Sequence, residues 1–264
     1  MRGSIFLKTL RDLKGQTLAW CFGLAGIAAI NVLLFPTVQS FPNLVAFLEN
    51  MPPAFKAMIG DIQAMAQLEG FLRAKVFDAM PLLLSVFLIS QGAAQIAGEI
   101  EHKSFDLLLA RPVPRWRVVV AKFLAMATAS LTMVLALTLG LVICVKFVET
   151  DIGPGYLLVS SLNGLPLAWF FGALALLGSC WLPRARQAAL LAGSLVVASF
   201  VFETLRLISP RIRHLDEISL FAHQKAGVTL DGTVHAGPIA LLLGLTALAV
   251  VAAAMVLERK DLAA

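Results

Sequence analysis

The chain has 264 residues, 59% of them hydrophobic and only 14% charged, with a formal net charge of +5 and a mean hydropathy of +0.87. A soluble domain carries about a quarter of its residues as charges to coat its surface, so a water-soluble fold is excluded and lipid must be the outer solvent. The 21 lysines and arginines are too sparse for a nucleic-acid-binding patch, and Cys21, Cys144 and Cys180 all lie in apolar runs, which argues against a disulfide framework or a zinc site.

In chain order, residues 1–15 predict an amphipathic helix lying in the membrane interface, with Phe6, Leu10 and Leu13 on one face and Lys8, Arg11 and Asp12 off it. No small-residue cleavage pattern follows, so no cleaved signal is expected. A helix needs roughly 17 to 25 apolar residues to cross the hydrocarbon core. Six stretches meet that need, at about 17–35, 79–97, 120–146, 157–181, 187–207 and 238–257. The fifth is the weakest, because Glu203 and Arg206 interrupt its far end, where they stand one turn apart as a mutually neutralising pair. After the first stretch, Phe55, Met58, Ile59, Ile62, Met65 and Ala66 repeat at helical spacing, which predicts short external helices. The expected fold is therefore all-α and polytopic, with six transmembrane helices in one domain spanning 1–264. An even number of spans puts both termini on one side. That side carries basic residues at nearly three times the density of the other, so both termini are expected to be cytoplasmic.

The loop at about 98–117 is the most charged cytoplasmic stretch. Ser104 can cap a short helix, with Asp106 in its first turn and Arg111 at its end, where the helix dipole favours each charge. Phe105, Leu108 and Leu109 give it an apolar face, and Pro112 and Pro114 stop it. Arg115 and Arg117 then return the chain to the lipid headgroups. Such a helix suits a groove on a partner; the plainer reading is a surface loop with snorkelling arginines.

Acidic residues, a leucine run, a Pro-Val-x-Arg turn and a lysine opening the next span resemble the permeases of type-2 ATP-binding-cassette (ABC) exporters. The residues that carry the resemblance are Glu99, Glu101, Ser104, Phe105, Asp106, Leu107, Leu108, Leu109, Pro112, Val113, Arg115 and Lys122. It extends to the amphipathic start, the six-span layout, Gly70-Phe71-Leu72 and Ser219-Leu220-Phe221. Lys103 departs from a position where the family often has glycine, and Pro114 from one where it often has serine. The resemblance implies a permease in the cytoplasmic (inner) membrane, paired with a second copy or a related permease. Its segment Glu99 to Arg111 would be gripped by cytoplasmic ABC ATPase subunits, which would hold the ATP and Mg. No cofactor is expected in this chain, which contains no phosphate-binding G-x-x-x-x-G-K-[ST] loop. An ATP-independent membrane-embedded enzyme or assembly factor is the alternative.

Polar residues inside spans are rare and functional by default. Gln91, Gln95 and Glu99 recur every four residues and so share one face of the second stretch. That face either lines the pathway or the interface between permeases, or bonds to neighbouring helices. Asn31, followed by Pro36, joins the pathway or dimer candidates, with a satisfied kink as its plainer reading. Met51, Met58 and Met65 recur every seven residues on the side that holds His214, His223 and His235, but no strong ligand spacing accompanies them and no metal site is expected.

Overall fold

The computed structural model describes residues 3–40, 50, 52, 64–101, 114–148, 150, 152–209, 211–212, 214–230 and 232–260. Helix α1 runs Gly3–Gln39 without interruption. At 1.5 Å per residue its 37 residues extend about 55 Å, well beyond the ~30 Å of a hydrocarbon core. The expected division between an interfacial segment and a first span is thus absent as a break, because nothing at Gly15–Gln16 stops a helix.

After a 3-10 turn at Ala64–Ala66, α2 (Leu68–Leu72) passes into a π-helical turn, Arg73–Phe77. Next come α3 (Met80–Ala93), a second π-helical turn at Ala94–Gly98, and a last turn at Glu99–Glu101. The remaining helices are α4 (Arg115–Val145), α5 (Pro154–Leu162), α6 (Leu165–Trp181), α7 (Ala185–Ile208), α8 (Leu220–Ala226) and α9 (Ala236–Arg259).

Among the described residues five helices are long and apolar enough to cross a membrane: Ile5–Gln39, Arg115–Val145, Pro154–Trp181, Ala185–Ile208 and Ala236–Arg259. The expected stretch at 79–97 is also helical, but divided into α3 and the π-helical turn that follows it. Backbone in lipid must satisfy its own hydrogen bonds, which is why the apolar runs become helices. Their outward faces carry Phe22, Leu139, Leu190 and Leu248, all more than 60% exposed.

Helix α6 is the axis of the bundle. It packs against α3, α4, α7, α8 and α9, and the span Pro154–Trp181, which α6 shares with α5, is two-thirds buried along its most apolar stretch, against 22% for the spans of α1, α7 and α9. Small residues make this possible, since helices in lipid associate through close van der Waals packing. A Cβ on Gly92 of α3 would stand 2.6 Å from the Gly172 carbonyl of α6, and one on Gly172 would stand 2.9 Å from the Leu88 Cβ. Helix α1 packs along α4 at the bundle's edge.

Contacts place the first turn of α1 and the last turn of α9 at one end of this bundle, the terminal end. Ile5 of α1 packs on a cluster of Ile96, Val118, Val119, Leu176, Cys180, Ala253 and Leu257. Arg115 and Lys260 finish that end. Arg115 Nη1 donates to the carbonyls of Leu257 (3.1 Å) and Lys260 (2.6 Å), and Lys260 Nζ to that of Cys180 (2.9 Å). Each cation thus meets the unpaired carbonyls and negative dipole of a helix C-terminus.

Candidate functional site

The polar centre of the terminal end is built on the π-helical turn Ala94–Gly98. An extra residue per turn loosens the regular ladder, and neighbouring helices meet the groups it presents. Ser179 Oγ of α6 accepts from the amides of Ile96 (3.0 Å) and Ala97 (2.8 Å). Lys122 Nζ of α4 donates to the Gln95 carbonyl at 2.6 Å and pairs with Glu99 Oε1 at 2.7 Å. The Lys122 side chain is 2% exposed and that of Glu99 24%. Burying an ammonium this deeply is tolerable only with close, well-directed acceptors.

Gln91, Gln95 and Glu99, which helical spacing sets on one face, do come together. They line a cavity of about 120 Å³ with Lys8, Thr9 and Asp12 of α1 and with Lys122. Gln91 Nε2 also donates to Gln16 Oε1, joining α3 to α1. The face is therefore turned toward the chain's own first helix. Asn31 lies apart, about 22 Å up α1 from Gln16 at the helical rise, and its amide donates to the Ile27 carbonyl of its own helix at 2.8 Å. Glu101 is exposed. Ser104, Phe105, Asp106, Leu107, Leu108, Leu109 and Arg111 lie outside the described residues, as do Phe55, Met58, Ile59 and Ile62 of the expected external helix.

A second polar centre occupies the far end. Glu203 of α7, 3% exposed, receives Arg206 in a two-pronged pair (2.9 and 3.1 Å), the Ser219 hydroxyl (2.7 Å) and Lys225 (3.6 Å). Ser219 also caps α8, accepting from the Ala222 amide at 3.2 Å. Arg73 donates to the Lys225 carbonyl at 2.9 Å, so α8 is held at both ends. Burial pushes the carboxyl of nearby Asp78 up, against the opposing pull of Lys225 and Arg73.

The Glu203–Arg206 pair follows from one-turn spacing, but its partners Ser219, Lys225 and Arg73 come from distant segments. Sequence reading also missed Lys122, Ser179, Arg115 and Lys260 as partners. Lys122 read as the residue opening a span and Arg115 as a headgroup contact; only the packing of α3, α4, α6 and α9 turns them inward. Among the described residues no group of three or more His, Cys, Asp or Glu is placed to hold a metal ion.

An all-helical bundle with five apolar helices of membrane-crossing length is a multi-pass membrane protein. The family model described as ABC-2 family transporter protein matches residues 22–262, most of the chain, and the chain belongs to that family. It is accordingly a membrane transport permease. No curated protein matches it.

Proposed function

We propose that the chain is the permease of an ABC exporter in the cytoplasmic membrane, working as a pair with a second copy or a related permease. Six crossings are proposed, the stretch from α3 through the π-helical turn being the sixth, with both termini in the cytoplasm. The segment Glu99 to Arg111 docks into separate ATPase subunits, which bind ATP and Mg. The pathway or the interface between permeases takes the Gln91–Gln95 face and Asn31.

The observation that carries the coupling assignment is the ion pair of Glu99 with Lys122 at 2.7 Å. Glu99 stands at the end of the segment before the loop and Lys122 two turns into the helix after it. The two stems of the loop are thereby clamped together, and the link from Gln91 to Gln16 extends the clamp to α1. A push on the loop then moves three helices rather than one.

Leu108→Asp places a charge on the apolar docking face, where leaving it unpaired costs several kcal/mol. The permease variant should insert normally but no longer co-purify with its ATPase subunits; undiminished recovery of the complex would remove the docking assignment. In a cysteine-free background, Ser104→Cys should be shielded from impermeant thiol reagents in intact cells while Thr229→Cys reacts. Labelling of the first from outside would invert the topology.

A further inference from the structure

At the far end, Asn163 ends α5 and lies against α8. Its amide nitrogen donates to the Gln224 carbonyl at 2.7 Å. The reverse orientation would set oxygen against oxygen, so this bond fixes where Oδ1 points. Gly227 makes room for it, because a Cβ there would come within 2.3 Å of Asn163 Oδ1.

Among the described residues no donor reaches Asn163 Oδ1, and none reaches Gln224 Oε1. Asn163 is 9% exposed and Gln224 2%, so bulk water does not serve them either. A buried carbonyl oxygen deprived of every donor is costly and rare in native proteins. Both side chains line one cavity of about 10 Å³, together with Asp78, Tyr156, Ser160 and Lys225.

We propose that this cavity binds a single ordered water, donating one O–H to Asn163 Oδ1 and the other to Gln224 Oε1. The size fits one water molecule and no larger ligand. The stoichiometry fits as well, since two acceptor oxygens meet the two donors that water has. Its lone pairs face a lining that contains the hydroxyls of Tyr156, Ser160 and Thr229 and the Lys225 ammonium. A metal cation suits the site poorly. Arg73 lines the same cavity, and Arg73, Lys225 and Arg206 already outnumber the carboxylates Asp78 and Glu203. The water completes the fastening of α8, tying it to the break between α5 and α6 as Ser219 ties it to α7. This inference stands independently of the transport reading.

The test is an experimental structure of the purified protein in lipid nanodiscs at about 2 Å, determined once in sodium chloride and once in N-methylglucamine chloride. A peak about 2.8 Å from both amide oxygens, present in both salts and with the same melting temperature, is the expected result. A site without a peak overturns the proposal. So does a peak at about 2.4 Å, the distance of a metal–oxygen bond, that appears only in sodium and raises the melting temperature. Gln224→Met keeps the volume and deletes one acceptor, so the peak should vanish; persistence at the parent position would remove Gln224 as a ligand. If that variant does not fold, the two parent structures decide.

Discussion

At the terminal end the deeply buried charge is a cation, Lys122, held by the carboxylate of Glu99 and one carbonyl. At the far end it is an anion, Glu203, held by Arg206, Lys225 and the Ser219 hydroxyl. The difference lies in redundancy. Glu203 keeps two partners if it loses any one, whereas among the described residues Lys122 has one directly paired carboxylate, that of Glu99, which stands in the last turn after α3, with Asp12 further off across the cavity. The far end is built as an anchor for α8. The terminal end ties the turn after α3 to α4 through that one pair.

The largest expected effect tests that asymmetry. Glu99→Gln leaves the Lys122 ammonium buried without its carboxylate, and removing one partner of a buried pair costs about 3–5 kcal/mol. Adding Lys122→Met should recover most of the loss, because replacing both members is often neutral. At the far end, Arg206→Met should cost only about 1.5–3 kcal/mol, the worth of a hydrogen bond to a charged group, because Lys225 and Ser219 still hold Glu203. Thermal unfolding of the purified variants measures all three. Equal losses for Glu99→Gln and Arg206→Met would mean that the two ends are equally robust.

A smaller contrast comes from two serines. Ser179→Ala strips the acceptor from two buried amides of the π-helical turn, at about 1–3 kcal/mol for each group left unmet. Ser219→Ala removes a helix cap, typically about 1 kcal/mol, while Arg206 and Lys225 still hold Glu203. Hydrogen exchange should localise the first loss to residues 94–98 and the second to α8. Loosening of α8 by Ser179→Ala would show that the ends are coupled rather than separate.

The sequence shows the crossings more clearly than the joints. Apolar runs mark five long helices because lipid permits only self-satisfied backbone, and four-residue spacing gathers Gln91, Gln95 and Glu99. Periodicity carries no mark of a π-helical turn, so the division after Ala93 was not legible, nor was the continuity of α1 through Gly15. The partners were hidden for a different reason. Lys122 stands 23 positions from Glu99, and Ser179 more than 80 from the amides it serves, so only the crossing of α3 with α4 and α6 brings them together. A lysine at the edge of an apolar run reads as snorkelling to the surface, and nothing in its neighbours says that it turns inward.

The smallest effect concerns Asp78, which belongs to the far end but has no saturated set of partners like that of Glu203. Burial raises its carboxyl above the usual range, outweighing the attraction of Lys225 and Arg73. The folded protein therefore holds that proton to a higher pH than the unfolded chain does. Its contribution to stability is most favourable below the unfolded value of about 3.9, declines as pH rises toward the raised folded value, and stays at that lower level above it. Asp78→Asn abolishes this decline. At neutral pH the variant should melt higher than the parent, with the gain shrinking as the pH is lowered toward 4. A variant that melts lower than the parent at pH 7 would show that Lys225 and Arg73 outweigh burial, and that Asp78 belongs to the anchor of α8 on the same terms as Glu203.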